Sequence, residues 1–181
     1  MARMVIDGFG QLELNNVAFR RDGRIEAQCA LSTVDFAEVP AENGMILRVK
    51  KADHEICFAD ASAANQLYAL NYSSEHMYDE RKPGLKNFAT YADKSKNFLP
   101  RVGYLAAGDL FTTNCIDLGS YASAAAVASA LESGEVFAAA GTQGAIVLGA
   151  SAPSVGPVMQ VIKKTTMPDG QDAFQIQVLK V

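Results

Sequence analysis

The chain has 181 residues, 49% of them hydrophobic and 20% charged, which suffices for one packed domain and excludes a disordered protein. Its net charge of -4 and isoelectric point near 5.2 argue against a general nucleic-acid binder. No run approaches the ~18 apolar residues that a membrane span needs. The opening MARMVIDG lacks the apolar core of a signal peptide, so synthesis and retention in a cytosol are expected.

The first third reads as β-structure. Leu12 and Leu14 share one phase, Val17 and Phe19 the other, and the slip at Asn15-Asn16 predicts a bulge or short turn. Arg21-Asp22-Gly23-Arg24 then predicts a tight hairpin into a strand on which Ile25, Ala27, Cys29 and Leu31 alternate with their neighbours. A second hairpin is expected from Met45–Lys50 and Glu55–Phe58 around Lys51-Ala52-Asp53-His54, with Asn43-Gly44 turning the chain into it. Residues 61–70 have the composition of one or two helical turns.

The composition then changes. From Arg81 to Arg101 there are six basic residues (Arg81, Lys82, Lys86, Lys94, Lys96 and Arg101) against the single acid Asp93, a local charge of +5 that leaves -9 for the remaining residues. Phe88, Tyr91 and Phe98 are interleaved with the cations, and Tyr78 precedes them. Pro83-Gly84 and Pro100 break regular structure, so an ordered loop or edge strand is expected, projecting as a loop or lobe over about residues 71–103. Such a segment can contact phosphates and bases, dock on an acidic protein surface, or simply be solvated. Protein contact fits the acidic whole best, with Tyr78, Arg81, Lys82, Lys86, Phe88, Tyr91, Lys94, Lys96 and Arg101 as the partner-binding residues.

Between Val102 and Ile162 there is no Lys or Arg, and Asp109, Asp117, Glu132 and Glu135 are the only charges. A surface so poor in charge is expected to be buried or pressed against another subunit of a homo-oligomer. Ser120 or Ser123 can cap a short helix over Ala124–Leu131, with Gly134 ending it. Strands are expected at Glu135–Ala139 and Ala145–Leu148, around Gly141-Thr142-Gln143-Gly144. At the C-terminus, Val155–Lys164 and Ala173–Val181 flank the turn Met167-Pro168-Asp169-Gly170. The whole predicts a single domain, mainly β, as a barrel or sandwich of several hairpins with one or two short helices.

Groups that could carry chemistry are sparse. Cys29, Cys57 and Cys115 are far apart, form no Cys-x-x-Cys pair, and read as buried free thiols. His54 lies in a hairpin turn, and His76, beside Glu75 and Asp79, could ligate metal only if a further ligand came from elsewhere. Cys57 near His54 is a better strand residue than a nucleophile. Gly119-Ser120-Tyr121 is no G-x-S-x-G elbow, and Gly141, Gly144 and Gly149 form no phosphate loop. Asp79-Glu80 would point apart in an extended chain. No enzyme, metal or cofactor is expected.

The order of several short motifs carries a resemblance. Asn43-Gly44-Met45-Ile46-Leu47 is followed by Tyr68-Ala69-Leu70-Asn71-Tyr72-Ser73-Ser74-Glu75 and Gly84-Leu85-Lys86-Asn87-Phe88. Then come Phe98-Leu99-Pro100-Arg101-Val102 and Gly108-Asp109-Leu110-Phe111-Thr112-Thr113-Asn114. This order, over roughly residues 43–149, resembles small virion structural proteins of tailed bacteriophages, the capsid decoration, cement or head-fibre kind. The resemblance implies no catalysis and no cofactor, and attachment to a capsid lattice built from a major capsid protein or another virion protein. It also implies residence in the virion after synthesis in the host cytoplasm. A tail-tube or baseplate component and a small β-barrel ligand-binding protein or enzyme are the other classes the sequence admits.

Overall fold

A computed structural model describes residues 10–23, 28–39, 41–60, 66–73 and 99–181. Among them the chain is mainly β, and its strands form two open sheets rather than a closed barrel. The seven-stranded sheet runs in the order β1 (Leu12–Asn16), β7 (Leu110–Thr113), β12 (Asp172–Lys180), β11 (Val158–Thr166), β9 (Phe137–Ala140), β10 (Ile146–Gly149), β8 (Ile116–Asp117). The five-stranded sheet runs β2 (Ala30–Leu31), β4 (Glu55–Phe58), β3 (Ile46–Lys50), β5 (Ala69–Asn71), β6 (Val102–Tyr104). Neighbours are antiparallel except β8 with β10 and β2 with β4, which are parallel.

The sheets share one core. Ile46 and Leu70, directly paired on the five-stranded sheet, pack in the same cluster as Phe111, Met159, Phe174 and Ile176 of the seven-stranded one. The arrangement is sandwich-like. The opposite face of the five-stranded sheet is also covered: Leu47, Ile56 and Ala69 pack with Phe36 and Ala41 of the preceding loop. Burying each such large apolar side chain contributes about 1.5–3 kcal/mol. A helix, α2 (Ala124–Ser133), closes the core edge through the fully buried Val127, with Ala124, Ala130 and Leu131 packed beside it. Its N-cap is Ser123, whose hydroxyl accepts from the Ala126 amide at 3.2 Å, and Gly134 follows its last turn.

The hairpins expected at β3–β4, β9–β10 and β11–β12 are all present. The bulge expected at Asn15-Asn16 is there too, where the pairing of β1 with β7 shifts between Glu13 and Asn16. Three expectations are corrected. Among the described residues β1 and β2 are not joined as the hairpin expected through Arg21-Asp22-Gly23-Arg24: β1 pairs with β7, β2 belongs to the other sheet, and Phe19 lies in a short helix, α1 (Ala18–Arg21). Long-range pairing outweighs the local turn signal, because Asp109 supplies the acceptor that starts this helix: its carboxylate takes the Ala18 amide at 2.6 Å. Of the strand expected over Ile25–Leu31, the described residues show Ala30–Leu31 paired with β4 and Cys29 in the predicted inward phase, while Ile25 and Ala27 lie outside the described residues. The helical reading of residues 61–70 fails at its end, where Ala69 and Leu70 are strand; 61–65 are outside the described residues.

Candidate partner-binding segment and its anchorage

The basic, aromatic segment is inserted between two adjacent, antiparallel strands. β5 ends at Asn71 and β6 begins at Val102, and these two residues are paired. Of the predicted contact residues, Arg101 is described and is exposed; Tyr78, Arg81, Lys82, Lys86, Phe88, Tyr91, Lys94 and Lys96 lie outside the described residues. So do His76 and Asp79-Glu80. The structure therefore specifies where the segment leaves and rejoins the domain. β6, the strand it rejoins, is an edge of its sheet.

That junction is built from buried polar groups. The Tyr72 amide donates to the Arg101 carbonyl at 2.9 Å, continuing the ladder one step past β5. The Arg101 amide donates to the Ser73 hydroxyl at 3.0 Å, and that hydroxyl donates to Asn71 Oδ1 at 2.7 Å. Asn71 Nδ2 in turn donates to the Glu42 carbonyl at 2.8 Å, while the Asn71 backbone exchanges bonds with Met45 and Gly44. Asn71 and Ser73 are buried, and their side-chain bonds leave neither residue's polar atoms stranded in the core. Tyr72 packs on Phe19 with ring centroids 4.9 Å apart and the rings tilted by 37°. Burial pushes its phenol pKa up, an effect partly offset by the positive charges of Arg101 and Arg20.

Phe19 fixes the other strand. A Cβ at Gly103 would lie 2.3 Å from its ring carbons, so only glycine lets β6 pass over the ring. Gly44 shows the same economy of space on the adjoining turn: φ is +89°, and an added Cβ would meet Thr113 Oγ1 at 2.1 Å.

The remaining reactive side chains have structural surroundings. Burial raises the thiol pKa of Cys57, with Asp35 adding to it, and pushes that of Cys115 to about 12, so neither is a thiolate near neutral pH. All three cysteines are buried, and none is in a disulfide. His54 sits at φ +53° in the exposed β3–β4 turn. Gly141 and Gly144 shape the β9–β10 turn, and the Gly144 carbonyl receives the Ile46 amide at 2.7 Å, which fastens that turn to the five-stranded sheet. Asp109, 2% exposed, accepts from Ala18 and Ala106 amides. Among the described residues no three His, Cys, Asp or Glu side chains are placed to hold a metal ion. No helix among them is long and apolar enough to cross a membrane.

Sequence reasoning found the segment and missed its clamp. Asn71, Tyr72 and Ser73 stand in one of the recurring motifs, yet nothing local marks them as partners of Arg101 and Glu42. The one available signal is that a polar Asn-Tyr-Ser run directly follows the apolar Tyr68-Ala69-Leu70.

No protein-family model, curated protein or solved structure matches the chain.

Proposed function

We propose that the chain is a non-enzymatic structural protein of a tailed-bacteriophage virion, one that binds the capsid lattice as a decoration or cement protein or as the base of a head fibre. The observation that carries this reading is a concentrated positive charge inserted at a rigidly clamped edge hairpin. The six cations between Arg81 and Arg101 belong to an otherwise acidic chain, and the ends of their segment are tied by the Asn71–Ser73–Arg101 bonds. A clamped root keeps the cations attached at a defined place on the domain, which suits docking on an acidic, repetitive surface. The motif order described above supports the same class. The partner is the major capsid protein or another virion protein, and the protein accumulates in the virion after synthesis in the host cytoplasm. The reading invokes no cofactor, no membrane and no direct contact with nucleic acid.

A place in the tail tube or baseplate is the competing reading, favoured by the open edges of both sheets, which permit self-association. Quantitative mass spectrometry of purified particles tests the class, and electron microscopy of labelled particles tests the location. Many copies on the head are expected. Absence from the particle overturns the proposal, and label confined to the tail replaces it with the competing one.

A further inference from the structure

Tyr72 and Arg101 stand side by side at the root of the basic segment. Asn71 faces Val102, so the next residues outward, Tyr72 and Arg101, face each other, and the bond from the Tyr72 amide to the Arg101 carbonyl holds them there. Directly opposed residues of an antiparallel pair send their side chains to the same side of the sheet, with Cβ atoms about 5 Å apart. Leu70 and Gly103 share that side two residues inward, and Phe19 lies against Gly103. The Tyr72 ring packs on Phe19, and the next residue of α1, Arg20, is exposed. The phenol is thus bordered by one cation from its partner strand and another from the helix, and both positive charges act on it.

This corner lacks an acceptor. Among the described residues neither Arg20 nor Arg101 has a carboxylate partner, whereas the adjoining Arg21 is paired with Asp22 at 3.1 Å. The Tyr72 phenol oxygen is buried and has no hydrogen-bond partner among them either. Buried hydroxyls are rarely left in that state, so an orphaned one calls for a group that the chain alone does not supply. Burial raises the phenol pKa, which keeps the proton on the oxygen and makes it a donor at neutral pH. Two exposed cations and one donor therefore meet at one place with nothing negative between them.

We infer that Tyr72, Arg101 and Arg20 form a binding site for a carboxylate, supplied by an aspartate or glutamate side chain of the acidic protein surface on which the chain docks. The inference rests on that reading of the partner and adds two contact residues, Arg20 and Tyr72, that lie outside the basic segment. A carboxylate has two oxygens and about four acceptor positions, enough for both guanidinium groups and the phenol proton. The phenol oxygen is covered in the free chain, and side-chain rotamer changes of the kind common at interfaces admit the ligand without backbone movement. The Ser73–Arg101 bond sets the strand positions beforehand, so little ordering is left for the moment of binding. A carboxylate held here also fixes where the cationic segment emerges relative to the partner, which gives the docking a register that diffuse charge attraction lacks.

NMR of the purified protein, with labelled tyrosine rings and labelled arginine side chains, tests the site without any particle. The probe is hexaglutamate, and the background carries Arg81→Ala, Lys82→Ala and Lys86→Ala to reduce binding by the segment itself. Signals of the Tyr72 ring and of the Arg20 and Arg101 Nε–H groups should shift together and saturate. Tyr72→Phe, which keeps the ring on Phe19, should weaken binding about tenfold and leave its salt dependence unchanged. Arg20→Gln should weaken it by a similar factor and flatten the salt dependence. Arg21→Gln, whose guanidinium is already paired, should change it by no more than about twofold. Circular dichroism checks that each variant folds. The inference is overturned if the three signals stay in place, if Tyr72→Phe binds as tightly as its parent, or if Arg20→Gln and Arg21→Gln weaken binding equally. It is overturned too if a single-stranded hexathymidylate moves the same signals at lower concentration, which would make this a phosphate site. Absence of the protein from purified particles would sink the capsid reading and leave the outcome of this titration standing.

Discussion

The backbone amide of Arg101 and the hydroxyl of Ser73, 28 residues apart in sequence, are 3.0 Å apart in space. With the backbone bond from Tyr72 to Arg101, this bond joins the two ends of the basic segment, and Asn71 Oδ1 holds the Ser73 hydroxyl proton from the other side. Ser73→Ala removes both bonds of the hydroxyl, leaving the Arg101 amide without its acceptor and Asn71 Oδ1 with only the long bond from the Ser73 amide. The expected loss is about 1–2 kcal/mol in urea denaturation. Native-state hydrogen exchange should show the Arg101 amide opening faster in the variant, while amides of β11 and β12 keep their protection relative to the global stability. Unchanged exchange at Arg101 would mean that the clamp does not restrain the root.

Asp109 performs a comparable task on the other sheet. Its carboxylate accepts from the Ala18 amide at 2.6 Å and the Ala106 amide at 2.8 Å, and its carbonyl receives the Val178 amide at 2.8 Å. One buried side chain therefore starts α1, closes the β6–β7 turn and lies beside β12. Asp109→Ala should cost about 2–4 kcal/mol, since one buried and one half-buried amide lose their acceptor. Asp109→Asn, which keeps one carbonyl oxygen, should cost clearly less. Equal losses for both variants would point to packing rather than the two bonds.

The contact of Phe19 with Gly103 gives a coupled prediction. Gly103→Ala places a methyl 2.3 Å from the ring, and overpacking of this kind costs about 1–3 kcal/mol. In a Phe19→Leu background the same change should cost much less. The double-mutant cycle should then show coupling of at least about 0.5 kcal/mol, as expected for residues in contact.

These relationships explain which parts of the fold were legible in the sequence. Hairpins whose turns lie within a few residues, as at Lys51–His54, Gly141–Gly144 and Met167–Gly170, could be read because strand alternation and turn chemistry are local. The cap at Ser123 was legible for the same reason. Strands β6, β7 and β8 were not, since each is only two to four residues long and acquires its partner from a distant segment. Phe19 misled because its apolar phase fits a strand as well as one turn of helix, and the deciding group, Asp109, is 91 residues from Ala18. The basic segment was legible as charge; its anchorage was not, because hydrogen bonds among Asn71, Ser73 and Arg101 leave no periodic trace. The division of strands into two sheets is likewise a matter of long-range pairing.

The thiol of Cys115 links stability to pH. Burial, with the nearby Glu42 carboxylate adding to it, raises its pKa from the ordinary thiol range to about 12. A group raised in the folded state contributes stability that is fully present below its unfolded pKa, here about 8.5, and is lost as pH rises toward the folded value. Between about pH 9 and 12 the unfolded chain releases this proton and the folded one keeps it, so stability should fall by up to ~1.4 kcal/mol per pH unit through this group. Cys115→Ala should lack that component. The difference between the two denaturation profiles should therefore shrink as pH rises, and a constant difference would show that the thiol titrates normally. At neutral pH, a thiol reagent should label the three buried cysteines only on unfolding.

The last prediction concerns the basic segment itself. Six cations within 21 residues repel one another, and an acidic partner surface relieves that repulsion. Binding to particles should therefore slow and weaken with added salt, as screening shortens to ~8 Å at physiological ionic strength. Replacing Arg81, Lys82 and Lys86 together by Ala should weaken particle binding about tenfold and flatten its salt dependence. Replacing Lys163 and Lys180 should have a smaller effect, because these cations belong to the C-terminal hairpin and not to the segment. Tyr78, Phe88 and Tyr91 are the expected anchors, and Ala at each should cost about 1–2 kcal/mol of binding with the salt slope unchanged, since aromatic contacts are not screened. Triple-variant protein that binds particles as tightly as wild type, with the same salt response, would reduce the segment to a solvated loop and remove the main support for capsid docking.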